Sequence, residues 1–163
     1  MIMNISYRKL LPEESKIYRA IRLESLEEFP ESFGANYQEA LKIEKFRMEN
    51  DIEQQTAERF VLGAFADKEI IGICTFIKDE NNTGNIYQMY VKKEFQGKNI
   101  GMGLIKAIID EAFQKFNDIE IHLEVAHGND KAYKLYEKVG FREVKNSSGK
   151  DPGNAITMKY IVE

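Results

Sequence analysis

Between Ile86 and Val125 the hydrophobic period of this chain changes twice, and that change limits the folds open to it more than any other feature. Ile86 to Val91 reads as a strand, and the loop Gln96-Gly97-Lys98-Asn99-Ile100-Gly101-Met102-Gly103 follows. Leu104, Ile105, Ile108, Ala112 and Phe116 then share one face at helical spacing, which predicts a helix over 101–116. Next, Ile119, Ile121, Leu123 and Val125 alternate with Glu120, His122 and Glu124, the pattern of a strand with one polar face. A strand-helix-strand unit of this length makes a parallel pair joined by a right-handed crossover. The glycine-rich loop therefore falls at the carboxyl end of one strand and the amino end of a helix.

The flanking sequence completes a mixed α/β (α+β) domain. Ile5, Tyr7 and Lys9 alternate with Ser6, Arg8 and Leu10 in a short strand. Pro12 suits a first helical position and Glu13 and Glu14 a first turn. That helix is predicted to reach Glu28, with Ile17, Ala20 and Ile21 inward, and to stop at Pro30. A second helix is predicted from Tyr37 to Asp51, carrying Ala40, Leu41 and Phe46. Phe60 to Ala66 and Ile70 to Lys78 are apolar strands around the turn Asp67-Lys68-Glu69; with 86–91 they form an antiparallel meander. Ala132, Leu135, Tyr136 and Val139 mark another helix, beginning at Asn129 and ended by Gly140. Phe141 to Lys145 and Ala155 to Val162 close as a hairpin around 146–154. With 163 residues, no repeat and no linker, one domain over 1–163 is expected.

The loop carries the first chemical signal. Glycines let backbone N–H groups approach a ligand, and a helix amino end offers unpaired donors that suit a pyrophosphate, with Lys98 at the side. The same glycines also suit a plain strand-to-helix turn, and a lone glycine-rich loop is a weak signal. The loop follows a meander rather than opening the chain, unlike a dinucleotide-binding fingerprint, and it lacks the Gly-Lys-Ser/Thr of a P-loop. No Gly-x-Ser-x-Gly occurs, and His122 and His127 lack a zinc spacing, so no metal is expected. The one cysteine, Cys74, lies in an apolar run and reads as a small buried hydrophobe. A net charge of −4 weighs against nucleic acid as a partner and allows a small cationic substrate. Neither a secretory leader nor a membrane span is visible, so a reducing cytoplasm is the expected location.

The second signal is Leu123-x-Val125-x-x-x-Asn129-x-x-Ala132-x-x-x-Tyr136-Glu137-x-x-Gly140-Phe141. Together with Gln88-Met89-Tyr90-Val91 and the loop from Gln96 to Gly101, it resembles the GCN5-related N-acetyltransferase (GNAT) family over the central third of the chain. The stretch Arg22-Leu23-Glu24-Ser25-Leu26, with Pro30-Glu31-Ser32-Phe33-Gly34, also resembles the first helices of small bacterial members.

The resemblance implies a mixed, mostly antiparallel sheet whose central parallel pair splays apart, with helices on both faces. Acetyl-CoA would be the acyl donor. Its pantetheine arm would lie against Met89, Tyr90 and Val91, much as an extended chain adds to an open strand edge. Its pyrophosphate would rest on Gln96, Gly97, Lys98, Asn99, Ile100, Gly101, Met102 and Gly103, and Asn129 would touch the cofactor while capping its own helix. Tyr136 would donate a proton to the departing thiolate. Spacing alone makes Tyr136 an aromatic on a buried stripe, so the catalytic role comes from the resemblance.

Two departures stand out. Asn99 occupies a place where the family carries glycine; asparagine tolerates positive φ better than most residues. The middle strand offers Asn85, Tyr87 and Gln88 where many relatives carry a basic carboxylate, so Glu124, His122, Tyr87 and water all stay open as the base. The expected activity is acetyl transfer to a primary amine of a small molecule. Six glutamates within 13–31 leave room for a cationic acceptor such as a polyamine, or for a merely solvated helix face. Transfer to a peptide or protein amine and a non-enzymatic acyl-CoA sensor remain as alternatives, and a homodimer is open.

Overall fold

The computed structural model describes residues 4–29, 36–144 and 155–162. Pro30, the rest of the 30–34 stretch and the 146–154 loop lie outside them. One seven-stranded sheet runs in the order β1-β2-β3-β4-β5-β7-β6, made of β1 (Ile5–Lys9), β2 (Arg59–Ala66), β3 (Glu69–Lys78), β4 (Thr83–Val91), β5 (Glu120–Ala126), β6 (Phe141–Glu143) and β7 (Ala155–Tyr160). Strands β2, β3 and β4 form the expected antiparallel meander, and β1 joins it antiparallel to β2. Among the described residues, only β4 and β5 pair in parallel.

Helices cover both faces: α1 (Ser15–Glu28), α2 (Tyr37–Leu41), α3 (Arg47–Gln54), α4 (Ile100–Lys115) and α5 (Asp130–Val139). Strand alternation sorts the core into two layers. Leu62, Ala64, Cys74, Phe76 and Ile86 pack under Leu104, Ile105 and Ile108 of α4. Val61, Phe65, Ile73 and Tyr90 pack under Tyr18 and Ile21 of α1 and Met48 and Ile52 of α3. Cys74 is fully buried, as its apolar surroundings predict. Among the described residues no helix is long and apolar enough to cross a membrane.

Two helical expectations need correction. The inner stripe of α1 is Tyr18, Ile21, Arg22, Ser25 and Leu26, whereas Ile17 is 42% exposed and Ala20 faces solvent. The stripe is shifted because Tyr18 buries its ring while its hydroxyl donates to Gln88 of the sheet. The single helix expected over Tyr37 to Asp51 is two helices, α2 and α3. The break is built by Glu49, which is fully buried and accepts the Phe46 N–H at 2.9 Å, Lys16 at 3.0 Å and Arg19 at 2.9 Å. These cations and the backbone donor hold its carboxyl below the usual range despite burial. Leu41 ends up exposed, while Ala40 is buried.

Candidate active site

Strands β4 and β5 pair only from Thr83 to Ile86 against Glu120 to Leu123. Beyond Ile86, β4 stays on β3 through Val91 while β5 stays on β7 through Ala126. The backbone from Tyr87 to Val91 thus has no ladder partner on its β5 side, and a wedge opens there. The divergence coincides with a bulge: Tyr87 sits opposite Thr75 and Tyr90 opposite Ile73, and Gln88 between them has φ +56°.

The bulge is fastened from the α1 face. Gln88 Oε1 accepts the Tyr18 hydroxyl at 2.8 Å and the Thr75 hydroxyl at 2.9 Å. Burial pushes the Tyr18 phenol up to about 12, so it keeps its proton. One turn on, buried Arg22 contacts the Ser25 hydroxyl at 3.3 Å. Tyr90 reaches the same face, its hydroxyl 2.7 Å from Glu24 and 2.6 Å from Glu28. Burial and these two carboxylates drive the Tyr90 phenol far above its usual range. Sequence reasoning missed Tyr18, Arg22 and Thr75. For Tyr18 and Arg22 the signal was polar residues at i and i+4 on a helix otherwise burying Ile21 and Leu26; Thr75, on β3, left none.

At the narrow end of the wedge, Tyr87 and Glu124 are the residues that follow the last pair, Ile86 with Leu123. Both are exposed on the polar face, and the Glu124 charge reinforces burial in raising the Tyr87 phenol. Glu124 forms no ion pair among the described residues. His122 lies inside the paired segment opposite Asn85 and contacts Glu120 at 3.2 Å.

On the other face, the loop meets the amino end of α4. Gly97 has φ +81°, with open space where a Cβ would stand. Asn99 adopts φ +65°, the left-handed conformation its side chain tolerates, and does not cap the helix with that side chain. The amides of Ile100, Gly101 and Met102 therefore have no partner within the helix. Gly103 differs, since its N–H donates to Asn99 O at 3.2 Å. Its missing Cβ instead admits the Tyr7 ring, which would lie 2.2 Å from such an atom. Likewise a Cβ on Gly101 would meet Met89 at 3.1 Å. Gln96 turns back to donate to Val91 O at 2.8 Å, and Lys98 stands 5.9 Å over the Phe95 ring. Asn129 caps α5 by accepting the Ala132 N–H at 3.3 Å.

Tyr136 projects from α5 into the α4-side core, packed edge-on against Phe141 with 9% of its surface exposed. Among the described residues its hydroxyl has no hydrogen-bond partner. Burial foremost, and the nearby Cys74 second, raise its phenol well above the tyrosine range, so it holds its proton throughout neutral and mildly alkaline pH.

Unpaired helix-start amides, an open strand edge and a protonated phenol fit an extended diphosphate ester ending in a thiol. The sequence model of the acetyltransferase (GNAT) family matches residues 20–141. The chain belongs to the GNAT family. Its fold overlays the PaiA N-acetyltransferase of Thermoplasma acidophilum, solved in complex with coenzyme A, at a TM-score of 0.76 with 26% identity, covering 98% of this chain and 100% of that one. Among curated relatives, a probable spermine N(1)-acetyltransferase of Bacillus subtilis subsp. natto is 23% identical over 88 residues, 50% of this chain and 58% of that protein. An N-alpha-acetyltransferase of Sulfurisphaera tokodaii is 34% identical over 62 residues, 38% of this chain and 37% of that protein. The chain thus spans between 37% and 58% of these two curated relatives.

Proposed function

We propose that this chain is an N-acetyltransferase that moves the acetyl group of acetyl-CoA to a primary amine of a small cationic molecule by direct attack. The wedge between β4 and β5, open from Tyr87 onward, carries the reading. Acetyl-CoA supplies the thioester as donor substrate. The amides of Ile100, Gly101 and Met102, next to Gly97, Lys98 and Asn99, bind its diphosphate, and Gly103 supports them by letting α4 lie on Tyr7. The free side of Met89, Tyr90 and Val91 binds the amide-bearing arm. Gln96 holds the loop to the end of β4, and Asn129 steadies the start of α5 beside the cleft.

Tyr136 holds the proton that the leaving sulfur needs, and burial keeps it there. The polar face receives the amine. The Tyr90 hydroxyl carries one proton for two carboxylates, and Lys92 is 3.6 Å from Glu24, so Glu28 retains surplus negative charge for a second cationic group. A polyamine fits that distribution, and the relative named a probable spermine N(1)-acetyltransferase points the same way. Glu124 is the best-placed acceptor of the amine proton, since His122 is engaged by Glu120.

The test is incubation with acetyl-CoA and a panel of amines, including polyamines and a peptide with a free amino terminus, following thiol release. We expect turnover on a polyamine, lowered roughly a hundredfold or more by Tyr136→Phe with coenzyme A affinity kept. Acetylation of the peptide alone would move the acceptor to the peptide class. Tight coenzyme A binding with no turnover on any amine would contradict the enzyme reading and favour a sensor.

A further inference from the structure

One hydroxyl interrupts the buried centre of the sheet. Ile70 to Phe76 of β3 is buried throughout, and Thr75 is the residue in that run that carries a hydroxyl. A hydroxyl buried there costs stability unless it is hydrogen-bonded, and valine would fill much the same space without that cost. Among the described residues the Thr75 hydroxyl has one hydrogen-bond partner, Gln88 Oε1 at 2.9 Å. The buried Tyr18 hydroxyl donates to the same oxygen at 2.8 Å and has no other acceptor among them.

These two hydroxyls fix which way the Gln88 amide faces. An amide oxygen has two lone pairs, and here each takes one O–H. Turned end for end, the amide would leave two buried hydroxyl protons without an acceptor. Nε2 therefore keeps both of its N–H donors and turns them away from Tyr18 and Thr75. It has no partner among the described residues, where no buried side-chain nitrogen lacks one, so Nε2 meets solvent. Gln88 stands at the bulge, where β4 has just left β5, with its side chain on the α1 face. A glutamine that only met water would need no such fixing. Glu24, Glu28 and Glu124 on that face attract positive charge, but a carboxylate has no proton to donate to an oxygen.

We propose that Gln88 determines specificity for the amine substrate: its Nε2 N–H groups donate to an oxygen carried on the chain of that amine. Thr75 and Tyr18 are positioning residues, which act by holding the amide with its donors outward. The inference rests on the transferase reading, which makes the α1 face the amine side, and narrows the substrate class within it. A plain polyamine satisfies the carboxylates and leaves the Gln88 N–H groups to water. A cationic amine whose chain carries an ether, hydroxyl or carbonyl oxygen satisfies both.

Two matched probes test this: a five-carbon α,ω-diamine, and the same diamine with its central methylene exchanged for an ether oxygen, which accepts hydrogen bonds and donates none. Each is titrated by calorimetry at neutral pH into the intact protein saturated with coenzyme A. The ether should bind about fivefold more tightly, the worth of one added hydrogen bond. Gln88→Glu keeps an oxygen for both hydroxyls but removes the N–H donors, and should abolish or reverse the preference. Thr75→Val should cut it to about twofold or less, and Thr75→Ser should restore it. A loss of packing alone would weaken both diamines equally and leave their ratio where it was. Equal binding of the two probes, binding of neither, or a preference that survives Gln88→Glu or Thr75→Val overturns the proposal. Thiol release from acetyl-CoA, followed in parallel, decides the transferase reading separately: the ether preference is read from binding and needs no turnover, and turnover on both diamines with equal affinity keeps the transferase and removes this specificity.

Discussion

The two halves of β4 share β3 as a neighbour and part company on the β5 side. From Thr83 to Ile86 the strand is hydrogen-bonded on both sides and packed into the α4-side core, where Gly84 lies so close to Phe76 that a Cβ would be 2.3 Å from its ring. From Tyr87 to Val91 the strand keeps only β3, and its polar side chains tie it to α1 through Tyr18, Glu24 and Glu28. An open edge persists in the middle of a sheet because a bulge redirects the strand and hydrogen bonds on the far face fix that bulge. The closed half anchors the fold, and the open half is where, in the function proposed above, acetyl-CoA adds.

The largest effect should come from disturbing the closed half. Gly84→Ala must displace Phe76, which is itself stacked between Phe60 and Phe116. We expect a loss of about 3 kcal/mol in urea unfolding, with coenzyme A affinity unchanged in the folded fraction. A loss below about 0.5 kcal/mol would mean that Phe76 yields and the closed half is not rigid.

Next comes the tie between α1 and the bulge. Tyr18 titrates at about 12 in the fold against 10 for the free phenol, and the folded state binds that proton more tightly. Its stabilising share is therefore complete below pH 10 and falls as pH rises toward 12, by about 2 kcal/mol. Tyr18→Phe should flatten that part of the stability–pH curve. An identical curve for the variant would remove Tyr18 from the account.

A smaller effect is expected from Gln88→Ala, which leaves the Tyr18 and Thr75 hydroxyls without their acceptor. We expect about 1–2 kcal/mol of destabilisation together with a raised KM for the amine. Destabilisation with unaltered KM would assign Gln88 to the fold alone.

Much of this contrast was legible in the sequence, and the reasons differ by element. The unit β4, loop, α4 and β5 could be read because the period switches from two to 3.6 and back, a signal set by burial. Positive φ at Asn99 and the capping role of Asn129 followed from side-chain chemistry acting locally. The phase of α1 was misread because Tyr18 and Arg22 are buried through polar contacts to residues far along the chain. The break between α2 and α3 was missed because one carboxylate, Glu49, makes it, and hydropathy does not record a hydrogen bond to Phe46 N–H. The bulge at Gln88 left no period at all, although the wedge depends on it.

Hydrogen exchange of the intact protein with and without coenzyme A tests the central contrast most directly. Slowed exchange confined to Tyr87–Val91 and to Ile100–Met102, with Thr83–Ile86 unchanged, is the result this account predicts. Coenzyme A that leaves those two segments unaltered, or that protects both halves of β4 alike, would contradict it.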